Sequence, residues 1–291
     1  MFLSRYRKAV DTFAPPLGRS YRLLCDLTHR RRAVKRPYGF TLAGDPFMAC
    51  AGWVAEEIKV FLQLIATHDA VLDIGANVGF YSCVAASRGM QRIAIEPSPR
   101  NQSLLQRNHC ENHFTSVEVL RVGLAREPGL GRICGHGGIA SFVPGWAQAS
   151  AAHSRLVPLT TLDTVAARRF HGKKLLIKMD VEGFELDVPA GAGMTLDLAP
   201  QPTWLIEILF RDPVIPGGIS RGFAETFNIF WQHGDRCRRL DSAGASVDAT
   251  DVARWVAQGS VDGETHNFVF WSGPVLAPWC GWAVSSKRGM P

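Results

Sequence analysis

From residue 53 onward the apolar positions alternate between two spacings. In WVAEEIKVFLQLIA, residues Val54, Ile58, Phe61, Leu62 and Ile65 fall three or four apart and predict one face of a helix. AVLDIG (70–75) is a short apolar run closed by glycine and predicts a buried strand. A helix over 78–89 follows, stopped by Gly89 just past its last turn. RIAIEP (92–97) predicts a second strand, after which Ser98 and Pro99 supply the cap and first-turn proline of a helix reaching residue 113. Further strands are predicted at VEVLRVGLA (117–125), at the start of LVPLTTLDTVAARRF (156–170), at KLLIKMD (174–180), at TWLIEILF (203–210) and at HNFVFW (266–271). Helices are predicted after residue 160, from VEGFELDVPAGA (181–192) onward, and over GFAETFNIFWQHG (222–234), ending at Gly234. Residues 126–153, rich in Gly, Ala and Ser, predict a hairpin and a mobile loop.

Strands separated by single helices predict βαβ units with right-handed crossovers, hence an α/β fold with a mainly parallel sheet flanked by helices. The first 50 residues differ. They mix basic and aromatic residues with Pro15, Pro16, Gly18, Pro37, Gly39, Gly44 and Pro46, and predict short helices and a hairpin. The organisation is therefore a basic N-terminal extension over 1–50 and one α/β domain over 51–291.

Composition narrows this picture. Apolar residues make 46% and charged residues 20% of the 291, which excludes a disordered chain. No run approaches the roughly 18 apolar residues of a membrane-spanning helix. The net charge of +6 is unevenly spread: residues 1–36 hold ten Lys and Arg against two acids, so the body is slightly acidic. A nucleic-acid enzyme would carry basic charge around its groove as well, so no nucleic-acid partner is expected. The basic segment, with Arg30, Arg31 and Arg32, is a solvated face or a peripheral contact for an anionic membrane. Seven scattered cysteines without a C-x-x-C pair, and a start lacking the apolar core of a signal peptide, point to a reducing, cytoplasmic setting.

In wound sheets ligands sit beyond the carboxyl ends of the strands. There the sequence places Asp73-Ile-Gly75-Ala-Asn77-Val-Gly79, then Glu96, then Asp180-Val-Glu182-Gly, then Glu207. The first loop is G-x-N-x-G preceded by an acid. It is not the G-x-G-x-x-G of a dinucleotide site, where a carboxylate would stand against the pyrophosphate. An acid suits a cationic ligand, and S-adenosylmethionine fits: Asp73 for its amine, Gly75 and Gly79 for close backbone approach, Asn77 as donor and acceptor, and Glu96 for the ribose hydroxyls.

The blocks LDIGANVGFYS, IAIEPSP with LLQRNHCEN, LTTLD, LIKMDVEGFELDV and WLIEI resemble, in this order, the FkbM family of S-adenosylmethionine-dependent methyltransferases. The resemblance covers about residues 53–272. It implies a Rossmann-like seven-strand sheet and methyl transfer to oxygen, on a sugar or natural-product hydroxyl. It carries cofactor binding onto Asp73, Gly75, Asn77, Gly79 and Glu96. Pro189 stands where the family has an aliphatic residue.

A hydroxyl acceptor must lose a proton, and Asp180 is the first candidate to take it, with Glu182, Glu207 and Glu185 as alternatives. Glu182 and Glu185 also read as first-turn helix acids, and Glu207 as a partner of Lys178, itself a substrate contact or an edge residue. Asp180, Glu182 and Glu207 could together ligate a divalent ion, but no histidine completes a set and no metal is assigned. His136 and His153 in the loop are further bases; His109, His113 and His171 read as helix-end residues. Trp146 stacks on a sugar or docks the loop, and Trp53, Trp204, Trp231 and Trp271 read as core. Two rival functions are a nucleic-acid methyltransferase docking through the basic segment and a non-catalytic protein that keeps the cofactor fold.

Overall fold

The computed structural model describes residues 33–35, 38–44, 55–114, 117–135, 137–146, 154–241, 244–263 and 265–273. All of the basic segment but residues 33–35, together with Trp53, His136 and His153, lies outside them. Near the start of the chain, strands β1 (Ala33–Lys35) and β2 (Thr41–Ala43) form the predicted hairpin. It is held by side-chain amides: Asn112 Oδ1 accepts from the Thr41 N–H at 2.7 Å, and Asn108 Oδ1 from the Ala43 N–H at 2.7 Å.

Five apolar runs make the centre of the molecule. Strands β3 (Ala70–Ile74), β4 (Gln91–Ile95), β5 (Val117–Leu120), β9 (Leu175–Met179) and β10 (Thr203–Glu207) lie parallel in the order β10-β9-β3-β4-β5. Strand β13 (Asn267–Trp271) then adds antiparallel to β10. Beyond it lie β11 (Arg236–Arg239) and β12 (Ser246–Val247). The sheet thus has eight strands, where the resemblance implied seven. The predicted strand after residue 155 is not among them. As β8 (Arg155–Thr160) it joins β6 (Gly123–Leu124) and β7 (Gly129–Ile133) in a separate three-stranded sheet.

Helices cover both faces. On one lie α1 (Ala55–Ile65) and α2 (Phe80–Ser87), packing Ile58, Phe61, Leu64 and Val84 against Val71, Leu176, Leu205 and Val269. Helix α3 (Pro99–Glu111) follows β4. On the other lie α4 (Leu162–Ala166), α5 (Asp187–Ala190), α6 (Gly193–Leu196), α7 (Phe223–Gln232) and α8 (Ala249–Gln258), closing over Leu72, Ile177, Trp204, Ile206, Phe268 and Phe270. Because successive strand residues point to opposite faces, Leu72 and Val71, or Ile177 and Leu176, belong to different cores.

Several local signals act as read. Gly89 takes a φ of 70° just past α2, and Pro99 opens α3. Ser98 holds the N-cap position of α3 without a side-chain cap bond. The helix expected from 181–192 onward is instead the two short pieces α5 and α6, starting only at Asp187, since Glu182 and Gly183 take left-handed φ of 51° and 101°. Glu182 and Glu185 therefore precede a helix rather than occupy its first turn. Trp204 and Trp271 are buried as expected, on opposite faces of the sheet, and Trp231 is half-buried against the core that holds Trp204.

Candidate active site

The carboxyl ends of β3, β4 and β9 open into a crevice enclosing about 580 Å³ of empty space, solvent at its mouth included. Its walls include Gly75, Asn77, Glu96, Asn101, Phe142, Asp180, Glu182 and Phe184. Five predicted site residues thus meet in one place: Gly75, Asn77, Glu96, Asp180 and Glu182.

The closest approach is backbone to backbone. Gly75 has a φ of 73°, and a Cβ there would lie 1.8 Å from the Asp180 carbonyl oxygen, so no side chain is admitted. Asn77 is left-handed too, with a φ of 51°, a conformation Asn tolerates better than most residues. That geometry aims its N–H at Glu96 Oε2, 2.8 Å away, while the Ser98 N–H donates to Oε1 at 2.7 Å. Gln102 donates to the Glu96 carbonyl at 2.6 Å and fixes the turn. Each Glu96 oxygen keeps a lone pair for a further donor. Burial pushes its carboxyl up to about 7 against these two N–H bonds and the Asn101 side chain.

At the other end lie the acids that follow β9 and β10. Glu182 Oε2 accepts from the Trp146 indole N–H at 2.6 Å, and its carbonyl accepts from the Ser141 hydroxyl. The Trp146 ring lies against Gly183, where a Cβ would come within 2.6 Å of it. Trp146 is buried, so its role here is to dock the loop rather than present a free stacking face. Burial, then the Asp180 carboxylate, raises Glu182 to about 8. Asp180, then burial, raises Glu207 to about 9. Glu185 accepts from the Gly183 N–H at 2.8 Å, and burial raises it to about 7.

Three predicted residues do not line the crevice. Asp73 has the strand parity of Val71 and points under α2, where its Oδ2 accepts the Ser82 N–H at 2.9 Å. Burial raises it to about 7. The placement differs from the expected contact with a ligand amine: a residue one step before the last of a strand faces the sheet's side, not its end. Gly79 is the left-handed N-cap of α2, and its neighbours are Leu105, Ser82 and His109. Glu207 lies one strand further out.

Lys178 is also corrected. Strand β9 is central, so Lys178 is no edge residue, and its partner is Glu57 of α1 at 3.0 Å rather than Glu207. His109 is buried, with Nδ1 2.9 Å from the Leu105 carbonyl. Among the described residues no three of His, Cys, Asp or Glu are grouped to hold a metal ion. Asn101 was not anticipated. Its amide nitrogen donates to the Gly137 carbonyl and ties the loop over the crevice.

The family described as the methyltransferase FkbM domain matches residues 73–237, more than half of the chain. The chain belongs to the FkbM methyltransferase family. An uncharacterized methyltransferase of Mycobacterium sp. (strain JLS) is 34% identical over 94 residues, covering 32% of this chain and 35% of that protein. The hexuronic acid methyltransferase AglP of Haloferax volcanii is 26% identical over 144 residues, covering 46% of this chain and 54% of AglP. The chain thus spans about a third to a half of the curated relatives it matches. Among solved structures, a Bacillus cereus O-methyltransferase in complex with SAH aligns at 11% identity and a TM-score of 0.40, over 91% of this chain and 96% of that one.

S-adenosylmethionine is the methyl donor of this family, and the crevice suits it. Asn77 Oδ1 and Asn101 Oδ1 are buried acceptors without a donor, and both residues line the crevice. Its described walls carry three acids, Glu96, Asp180 and Glu182, and no Lys, Arg or His. A sulfonium is welcome there, and a pyrophosphate is not.

Proposed function

We propose that this FkbM chain transfers a methyl group from S-adenosylmethionine to a hydroxyl oxygen of a carbohydrate or natural-product acceptor. The observation that carries the reading is the crevice with a carboxyl at each end and no cation in its described walls. The hexuronic acid activity named for the archaeal relative supports a sugar acceptor.

The donor supplies a sulfonium methyl already activated toward attack. What the chain adds is alignment and proton removal. Glu96, oriented by the Asn77 and Ser98 N–H groups, accepts the ribose hydroxyls. Gly75 lets the backbone close on the ligand. Asp180, at the end of β9 and in the crevice wall, takes the acceptor's proton, with Glu182 and Glu207 as its protonated neighbours.

Calorimetry with S-adenosylhomocysteine tests the binding half. Glu96→Ala removes a charged hydrogen-bond acceptor, so affinity should fall about thirtyfold, equivalent to about 2 kcal/mol. Absence of binding by the unaltered chain at about 1 mM ligand, where even a weak site would register, overturns the reading. Release of S-adenosylhomocysteine with a panel of sugars, uronic acids and polyketide alcohols tests the catalytic half. Binding without release from any acceptor would favour a non-catalytic role.

A further inference from the structure

Lys178 is 1% exposed, in the middle strand of the sheet. A buried ammonium is costly unless paired, and this one faces acids of α1, β3, β10 and the end of β9. Glu57 of α1 lies 3.0 Å from its Nζ. The Tyr81 ring of α2 lies 5.3 Å beneath it. Asp73 of β3 is its direct neighbour in register. Asp180 lies two residues on along the same strand face. Glu207 of β10 follows Ile206, which pairs with Met179, and so stands beside Asp180. Glu57 also lies ahead of residue 73, where the family match begins.

We propose that the buried Glu57–Lys178 ion pair is a positioning element of methyl transfer: acting through charge, it sets the proton affinity of Glu207, the neighbour of Asp180 in the carboxyl pair that takes the acceptor's proton. The inference rests on the O-methyltransferase reading. In that reaction the acceptor oxygen gives a lone pair to the methyl carbon, the C–S electron pair stays on sulfur, and the hydroxyl proton passes to the ionised carboxyl. Lys178 touches neither reactant. It acts through charge, from inside the sheet, on groups at the sheet's end.

The electrostatics agree in sign. Burial works against the Lys178 charge, but Glu57, Asp180 and Glu207 together hold it above the ordinary lysine range. Glu207 is pushed up chiefly by Asp180 and by burial, pulled down by Lys178, and pushed up again by Glu182 and then Glu57. Helix α1 thus adjusts the proton affinity of the acid cluster through one buried lysine.

The test is a carboxyl-carbon NMR titration of Glu207 in the full chain, labelled at Asp and Glu and assigned with Glu207→Gln. Lys178→Met should move the Glu207 midpoint up, and Glu57→Gln should move it down, each by roughly one pH unit, a tenfold change in proton affinity. Any nearby charge moves that midpoint, so the part in methyl transfer is read from the pH profile of kcat: each variant should move its acid limb in step with the Glu207 midpoint, and a limb that stays in place overturns the proposal. Unmoved midpoints, or shifts of the same sign, overturn the proposal. If Lys178→Met loses its cooperative thermal transition, the near-isosteric Glu57→Gln decides alone: a downward shift supports the proposal and no shift overturns it. The titration is read without donor or acceptor. Failure of the unaltered chain to bind S-adenosylhomocysteine is therefore a separate result, against the functional reading itself.

Discussion

The two faces of the sheet are built from opposite materials. Under α4 to α8 the strands present Leu72, Ile177, Trp204, Ile206, Phe268 and Phe270, all buried hydrocarbon. Under α1 and α2 the same strands present Val71, Leu176 and Leu205, then change to Asp73, Lys178 and Glu207 as they near the crevice. Dispersion and the hydrophobic effect stabilise the first face. The second gives up part of that to bury charge next to the reaction. The difference explains why the acids respond to one another: a low-dielectric wall of aromatics and aliphatics lies behind them.

The largest expected effect comes from breaking the apolar face. Phe230 is fully buried, stacked on Phe270 at 4.2 Å and edge-on to Trp204 at 5.2 Å. Phe230→Ala should cost about 3–5 kcal/mol in urea unfolding. A loss below about 1 kcal/mol, the level of a surface substitution, would mean that this face is not the stabilising one. Gly75→Ala comes next. Its methyl group meets the Asp180 carbonyl, so strands β3 and β9 must part at the crevice. A stability loss of about 1–3 kcal/mol and a clear drop in S-adenosylhomocysteine affinity are expected by calorimetry.

The charged face should show itself through pH. Burial holds Asp73, Glu96 and Glu185 at about 7; burial with Asp180 holds Glu182 at about 8, and Asp180 with burial holds Glu207 at about 9. Unfolded carboxyls titrate near 4. Between about pH 4.5 and 9 the folded chain therefore binds more protons than the unfolded one, and stability falls as pH rises. The ligand-free Tm should be lower at pH 8.5 than at pH 5.5, and a higher value there would count against the buried acids. The smallest effect is at the surface. Arg107→Ala removes a 2.6 Å pair with Glu111 on α3 and should change stability by less than about 0.5 kcal/mol.

What the sequence made legible follows the same division. Strands β3, β4, β9, β10 and β13 are apolar runs, and their ends were readable, which placed Gly75, Asn77, Glu96, Asp180 and Glu182 at one edge of the sheet. Strand β11 was not readable because Arg236, Arg238 and Arg239 make it look like a loop, although its register on β13 satisfies its backbone. Helix α8 was overlooked despite a visible signal: Asp248 and Asp251 form a capping box, and Gly259 ends the helix with a φ of 70°. The side-chain direction of Asp73 follows from strand parity and could have been counted from Val71. The pairing of Lys178 with Glu57 could not, because no spacing rule joins a helix residue to a strand so far along the chain.

That pairing bears on how the protein can be cut. A shortened chain opening at β3, within which the family match begins, would keep the whole glycine loop and every acid of the crevice. It would also strip Lys178 of its nearest anion and leave a lone ammonium inside the sheet. Anyone designing a minimal catalytic fragment should therefore begin it ahead of α1.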